Sequence, residues 1–182
     1  PVLSTRQGVA YMASLMKQSV DLSLERVEIA ALWSVQGNRE TSLHDFENTL
    51  FGKDANIGSL LRSEPLSLLR LWPHQAYLLS DQQQIPADLQ QFASVMTDIA
   101  DGHCAFRPGG EQAFDFIAAY LSADLATMPA GPACLRCRLG HYVVILWWDD
   151  RRELQLLVER SCAQSFADYI DMLMARWHPE AP

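Results

Sequence analysis

HYVVILWWDDRRELQLLVERSCAQSFADYIDMLMARW, His141 to Trp177, decides the fold. Tyr142 to Trp148 is an apolar run without a polar interruption, and Asp149-Asp150 after it marks a turn. A second apolar strand follows the turn. Beyond it Cys162, Phe166, Tyr169, Ile170, Leu173 and Trp177 recur at helical spacing. The segment therefore reads as strand, tight turn, strand, amphipathic helix. The same order occurs earlier in LSLLRLWPHQAYLLSDQQQIPADLQQFASVM, Leu66 to Met96. There the hairpin turns at Pro73-His74-Gln75, and a helix entered near Pro86 carries Leu89, Phe92, Ala93 and Met96. Leu71-Trp72 of one copy corresponds to Leu146-Trp147 of the other, an offset of 147 − 72 = 75 residues. A period of that length is too long for a solenoid and fits a duplicated unit packed on itself.

Outward from the two hairpins, Glu28 to Val35 reads as a strand and Gly37-Asn38 as a turn. A helix with Leu43, Phe46 and Leu50 on one side starts from Thr41 or Ser42 as N-cap and stops at Gly52. Lys53 to Glu64 is polar and reads as irregular. A strand at His103 to Phe106 passes through Pro108-Gly109-Gly110 into a helix with Phe114, Ile117 and Leu121 on one face. Residues 8 to 20 suggest a short helix with Val9, Met12, Leu15 and Met16 aligned. The expected class is α+β, with duplicated β-α-β-β-α units and antiparallel sheets. The expected organisation is a single compact domain over 1–182, with pseudo-repeats at about 21–96 and 97–177 and an N-terminal segment 1–20.

The 182 residues, 49% hydrophobic, suffice for one sizeable core or two small halves sharing sheet. With 14 Lys+Arg against 22 Asp+Glu the net charge is −8, which repels the phosphate backbone and disfavours nucleic-acid partners. The longest apolar run, Tyr142 to Trp148, has 7 residues, short of the roughly 20 a membrane-spanning helix needs. Arg6 and Lys17 interrupt the N-terminal stretch, so no signal peptide is read. A soluble, cytoplasmic protein with no membrane partner is expected. Cys104, Cys134, Cys137 and Cys162 are too few and scattered for a secreted disulfide framework, and reduced thiols are the default.

Cys134-Leu135-Arg136-Cys137 is a CxxC, and His103-Cys104 and His141 invite a zinc or redox reading beside it. In an extended run, however, residues i and i+3 point to opposite faces, so the two thiols could share a metal only at a kinked knuckle. Arg107-Pro108-Gly109-Gly110 lacks the Lys-Ser/Thr ending of a phosphate loop and the third glycine of a dinucleotide fingerprint, and reads as a strand-to-helix turn. Asp149 and Asp150, among Arg151, Arg152 and Glu153, read as a solvated hairpin tip. Ser161-Cys162 and the histidines at 44, 74, 103, 141 and 178 form no G-x-S-x-G or HExxH pattern. No catalytic, cofactor-binding or metal-binding residue is assigned.

Both alternating faces of Tyr142 to Trp148 are apolar. Either both are covered within the fold or one is covered by a partner chain. Tryptophan buries a large area with little entropy lost and is enriched at interface hot spots, so Trp72, Trp147, Trp148 and Trp177 are the expected partner-interface residues.

Thr97-Asp98-Ile99-Ala100-Asp101-Gly102 followed by Arg107, Gly110 and Ala113 resembles the D-x-S-D-G...R-x-x-G-x-x-A segment of the gamma subunit of heterotetrameric sarcosine oxidases. Leu156 to Leu173, LLVERSCAQSFADYIDML, resembles that family's closing L-V-x-R-S-x-A-x-x-L-x-x-W-L helix, and LRLWPHQAYLL its hairpin. The resemblance covers about residues 66 to 177. Ala100 stands where Ser is usual, Pro108-Gly109 replaces an L-S pair, and Leu121-Ser122 falls where many members have Cys-Pro. The resemblance implies a fold related to the folate-binding aminomethyltransferase domain, and a complex that oxidises sarcosine, or another secondary or N-methyl amino acid, to its demethylated product. It implies alpha, beta and delta partner subunits, with FAD, FMN, NAD, tetrahydrofolate and zinc bound on those chains and none on this one. The family's gamma chain has no known catalytic residue to carry over. The expected role is structural and non-catalytic, and the alternative is a free-standing folate-binding or one-carbon transfer protein.

Overall fold

The computed structural model describes residues 21–37, 43–82, 95–151 and 153–178. The elements run β1 (Ser23–Val27), β2 (Ala31–Gln36), α1 (Leu43–Phe51), β3 (Leu60–Ser63), β4 (Leu66–Trp72), β5 (Gln75–Ser80), β6 (Val95–Asp98), β7 (His103–Gly109), α2 (Ala113–Tyr120), β8 (Ala133–Leu139), β9 (Tyr142–Trp148), β10 (Gln155–Glu159) and α3 (Ala163–Met174). The helix expected at 8–20, the helix expected near Pro86 as far as Ala93, and the N-caps Thr41 and Ser42 lie outside the described residues, while Met96, expected on that second helix, lies instead in β6, where strand pairing with β2 takes it.

The β4–β5 and β9–β10 hairpins form where the Leu-Trp repeat puts them, and Gly52 ends α1 with a positive φ of 67°. Leu60–Ser63 departs from the sequence reading. This polar-flanked stretch pairs with β4 as an edge strand, because only its two leucines need burial and an edge tolerates the rest.

All pairings are antiparallel, in two five-stranded sheets ordered β1-β7-β10-β9-β8 and β6-β2-β5-β4-β3. Written this way the orders superimpose, with β2, β3, β4 and β5 matching β7, β8, β9 and β10. The edge strands are exchanged. β1 precedes β2 in the chain yet pairs with β7, and β6 precedes β7 yet pairs with β2. The two sequence halves are therefore completed by one another's strands.

The sheets lie face to face between helices, which gives three apolar layers. Leu32, Leu69, Cys134, Ile145, Trp147 and Leu157 fill the space between the sheets. Phe106, Val144, Leu146 and Trp148 pack against Phe116 of α2 and Phe166 of α3 on the outer face of the first sheet. Trp33, Val35, Leu68 and Leu78 pack against Leu43 and Phe46 of α1 on the outer face of the second. This explains the doubly apolar β9, a central strand with a sheet on one side and helices on the other. No helix among the described residues is long and apolar enough to cross a membrane.

Two polar contacts tie the layers together. Arg62 of β3 donates from both Nε and Nη2 to the Asp149 carboxylate at the β9–β10 turn, the Nε contact being 2.9 Å. The carboxylate read as a solvated tip thus joins the two sheets. Cys134 N donates to the Gly58 carbonyl at 2.8 Å, linking the first sheet's edge to the loop before β3.

Candidate functional site

The ends of β1, β7, β10, β9 and β8 line one rim of the first sheet, and two depressions meet there at His103. The first is a crossover cleft where the chain leaves β1 and enters β7. Its volume is about 470 Å³, and Arg26, Glu28, Asp101, His103, Cys104 and Arg160 line it. It sits where the chain passes between the sheets twice, through Glu28–Ala30 and Ile99–Gly102. Ile99 N donates to the Leu32 carbonyl at 2.9 Å, which fixes one crossover on the other sheet. His103 Nδ1 lies 2.9 Å from the Ile99 carbonyl, so Nδ1 carries the proton that this acceptor requires. Arg26 Nη2 lies 3.1 Å from Cys104 Sγ, and Arg160 Nε donates to the Asp101 carbonyl.

The second depression is a step on the inner face of the first sheet, where the opposing sheet stops covering it. Along β8, Cys134 is buried between the sheets, but Arg136 and Arg138, on the same face, are exposed. Along β9, Ile145 and Trp147 are buried whereas Val143 is 38% exposed. Trp72 and Tyr77 of the second sheet wall the step, with ring centroids 5.8 Å apart. Arg136 lies 5.5 Å from the Trp72 ring, within cation–π range. Tyr77 meets His103 edge-on at 5.9 Å, and its burial pushes the phenol above its ordinary range, partly offset by Arg136. The composition is that of an interface hot spot: a Trp, a Tyr and Arg residues around an exposed apolar side chain.

The four expected interface tryptophans are not brought together. Trp147 is 3% exposed between the sheets and Trp148 is 0% exposed against the helices, so both are consumed by packing within the chain. Trp177 is half-buried against Phe116 and Tyr120. Trp72 alone of the four borders the step. Tyr77, Arg136 and Val143 escaped the sequence reading, although the alternation of Cys134, Arg136 and Arg138 carried the signal: one strand face passing from apolar to charged.

The CxxC is a strand, as its flow into an extended run suggested. Cys134 faces the other sheet, and Cys137 faces the helix layer. Among the described residues no group of three or more His, Cys, Asp or Glu side chains could hold a metal ion. Burial pushes the Cys134 thiol up to about 12 and that of Cys137 to about 11. Neither forms appreciable thiolate at neutral pH. In the native protein at pH 8, Cys134 is expected to escape iodoacetamide and to react once denaturant is added, as peptide mass spectrometry would report. Rapid native labelling would show that the sheets open.

No protein-family model and no curated protein matches the chain. Among solved structures, it superimposes on a chain of the heterotetrameric sarcosine oxidase from Corynebacterium sp. U-96, solved in complex with pyrrole 2-carboxylate. The TM-score is 0.74 at 16% identity, over 96% of this chain and 97% of that one. It also superimposes on the glycine cleavage system aminomethyltransferase T from Bartonella henselae, with a TM-score of 0.58 at 15% identity, over 87% of this chain and 47% of that one. The chain has an aminomethyltransferase-like fold. In that fold the crossover cleft and the step occupy one rim of a sheet whose other face is sealed by helices. The expected α+β class with duplicated antiparallel units is the one found.

Proposed function

We propose that this chain is a non-catalytic assembly subunit of a heterotetrameric, flavin-dependent sarcosine oxidase, or of a close relative acting on another secondary or N-methyl amino acid. Coextension carries the reading: the chain runs with a sarcosine oxidase chain over 97% of that chain's length, but accounts for 47% of the aminomethyltransferase. On this reading FAD, FMN, NAD, tetrahydrofolate and zinc reside on alpha, beta and delta partners, and the complex works in the cytoplasm. The step around Trp72, Tyr77, Arg136 and Val143 is the docking surface, and half-buried Trp177 flanks a separate contact.

Co-expression of the tagged chain with the alpha, beta and delta chains of such an oxidase is expected to give a yellow complex. A colourless monomer from that experiment overturns the reading. Trp72→Ala combined with Arg136→Ala is expected to weaken assembly by about 2 kcal/mol, roughly thirtyfold, as loss of a hot-spot pair does. The readout is recovery of the partners on pull-down, with circular dichroism as the check on folding. Unchanged recovery excludes the step as the interface.

The likeness to aminomethyltransferase T favours a second reading, a free-standing folate-binding or one-carbon transfer protein. Saturable binding of tetrahydrofolate to the isolated chain in a calorimeter is its test.

A further inference from the structure

We propose that β6 takes an added strand: an extended, basic segment of a partner chain pairs with its outer edge and becomes the sixth strand of the second sheet. This rests on the reading of the chain as an assembly subunit, and names the kind of contact that holds it. The first argument is hydrogen-bond parity. In an antiparallel ladder, pairs that exchange both backbone bonds alternate with pairs that exchange none. Gly37 N donates to the His74 carbonyl at 3.1 Å, in register with Val35–Ala76, so the odd-numbered residues of β2 bond to β5. Ile99 N donates to the Leu32 carbonyl at 2.9 Å, so the even-numbered ones bond to Val95, Thr97 and Ile99. The N–H and C=O groups of Met96 and Asp98 therefore point away from β2. Two such residues, at i and i+2, are what an incoming strand bonds to. Among the described residues no strand or bridge meets them, and β6 is the last strand of its sheet.

The second argument is that β6 lacks the protection the other edges have. β8 is capped near both ends, where Cys134 N donates to the Gly58 carbonyl and Ser122 N to the Arg138 carbonyl, each at 2.8 Å. β1 carries Glu25 and Arg26 side by side, and β3 carries Arg62, tied to Asp149. β6, VMTD, has no Pro, no basic residue and no bulge, and Val95 is 49% exposed. An edge of this kind invites aggregation unless something covers it. The third argument concerns the occupant. Tyr77, Ser34 and Thr97 form one cross-strand row from the step to β6, so a strand added there prolongs the docking surface around Trp72 and Tyr77. Asp98 is exposed at the end of the edge and has no ion-pair partner among the described residues, which suits a Lys or Arg in the incoming segment. A second copy suits it less, because each chain carries a net charge of −8.

The test is amide hydrogen exchange, read residue by residue by mass spectrometry, on the free full chain and on its complex with the alpha, beta and delta chains of such an oxidase. In the free chain the amides of Thr97 and Ile99 are expected to exchange slowly and those of Met96 and Asp98 fast. In the complex Met96 and Asp98 are expected to slow at least about tenfold. Met96→Pro removes one outward N–H and no bond to β2, whereas Met96→Ala removes the same side chain and keeps the N–H. At equal melting temperatures, the Pro variant is expected to recover partners on pull-down at least about tenfold less well than the Ala variant. The exchange comparison uses the parent chain and stands whether or not the Pro variant folds. Unchanged exchange at Met96 and Asp98 in the complex, protection already present in the free monomer, or equal recovery by the two folded variants overturns the inference and leaves the assembly reading intact. Protection that follows self-association, seen by sedimentation, assigns the edge to a second copy and also overturns it. Failure of the chains to co-purify overturns both.

Discussion

Trp148→Ala is expected to destabilise the protein by about 3–5 kcal/mol, the range for truncating a large buried aromatic. Trp148 is fully buried at the centre of the layer between the first sheet and the helices. Its ring meets Phe114 edge-on at 6.2 Å, and its Nε1 donates to the Pro129 carbonyl at 3.3 Å. Truncation leaves a void lined by side chains from α2 and the sheet, and removes the donor to the Pro129 carbonyl. Urea denaturation followed by circular dichroism measures the loss. A cost under about 1 kcal/mol would mean that this layer is not close-packed.

The second large effect concerns the layer under α1. Glu47 on α1 and Arg70 on β4 form a buried ion pair, Oε1 to Nη1 at 3.1 Å, with 2% and 12% of their side chains exposed. Ala55 N donates to Glu47 Oε2 at 3.1 Å, and Arg70 Nη2 donates to the Pro73 carbonyl at 2.8 Å. Arg70 Nε has no hydrogen-bond partner. Desolvation raises the Glu47 pKa above its usual 4.5, outweighing the Ala55 amide and Arg70, which lower it. Nearby His44 and Asp54, themselves an ion pair, contribute smaller opposing effects.

The pair is therefore costly to hold and costlier to break. Glu47→Leu leaves an arginine that cannot shed its charge, and a loss of about 3–5 kcal/mol is expected. Glu47→Leu with Arg70→Met should recover most of that loss, and can exceed the parent by about 1–4 kcal/mol. An additive double variant would refute energetic coupling. The sign of the pH effect follows from the raised value. The folded state holds the Glu47 proton more tightly than the unfolded chain does. The resulting stability is complete below 4.5 and is lost as pH rises through the folded value. The double variant should lack this component.

Much of this fold is legible in the sequence, and the reasons for the rest are physical. The Leu-Trp hairpins are visible because two apolar runs around a polar turn have few other solutions. The opposite facing of Cys134 and Cys137 follows from the period of two in a strand. Which sheet a strand joins leaves no such mark. β1 and β6 carry one alternating pattern whichever neighbour they pair with, and their exchange is decided by tertiary packing. The burial of Trp147 and Trp148 escaped for a related reason. A doubly apolar strand states that both faces are covered, but cannot say whether the cover is its own chain. The crossover cleft was invisible because Arg26, His103 and Arg160 are far apart in sequence and converge only where three strand ends meet.

The strand exchange has a consequence for how the protein is made. Val27 of β1 pairs with Ala105 of β7, a separation of 105 − 27 = 78 residues. During synthesis β1 must wait for that many residues to emerge, several seconds at about 5–20 residues per second, before its partner exists. The second sheet, β2 to β6, is contiguous over residues 31–98 and can pair as it emerges, whereas the first sheet cannot take β1 until β7 has followed it. Release of the nascent chain before β7 leaves a β1 without its partner, open to pairing with another copy. Translation past Gly109 is the point at which the first sheet can begin to take its β1 edge, after the second sheet is already complete.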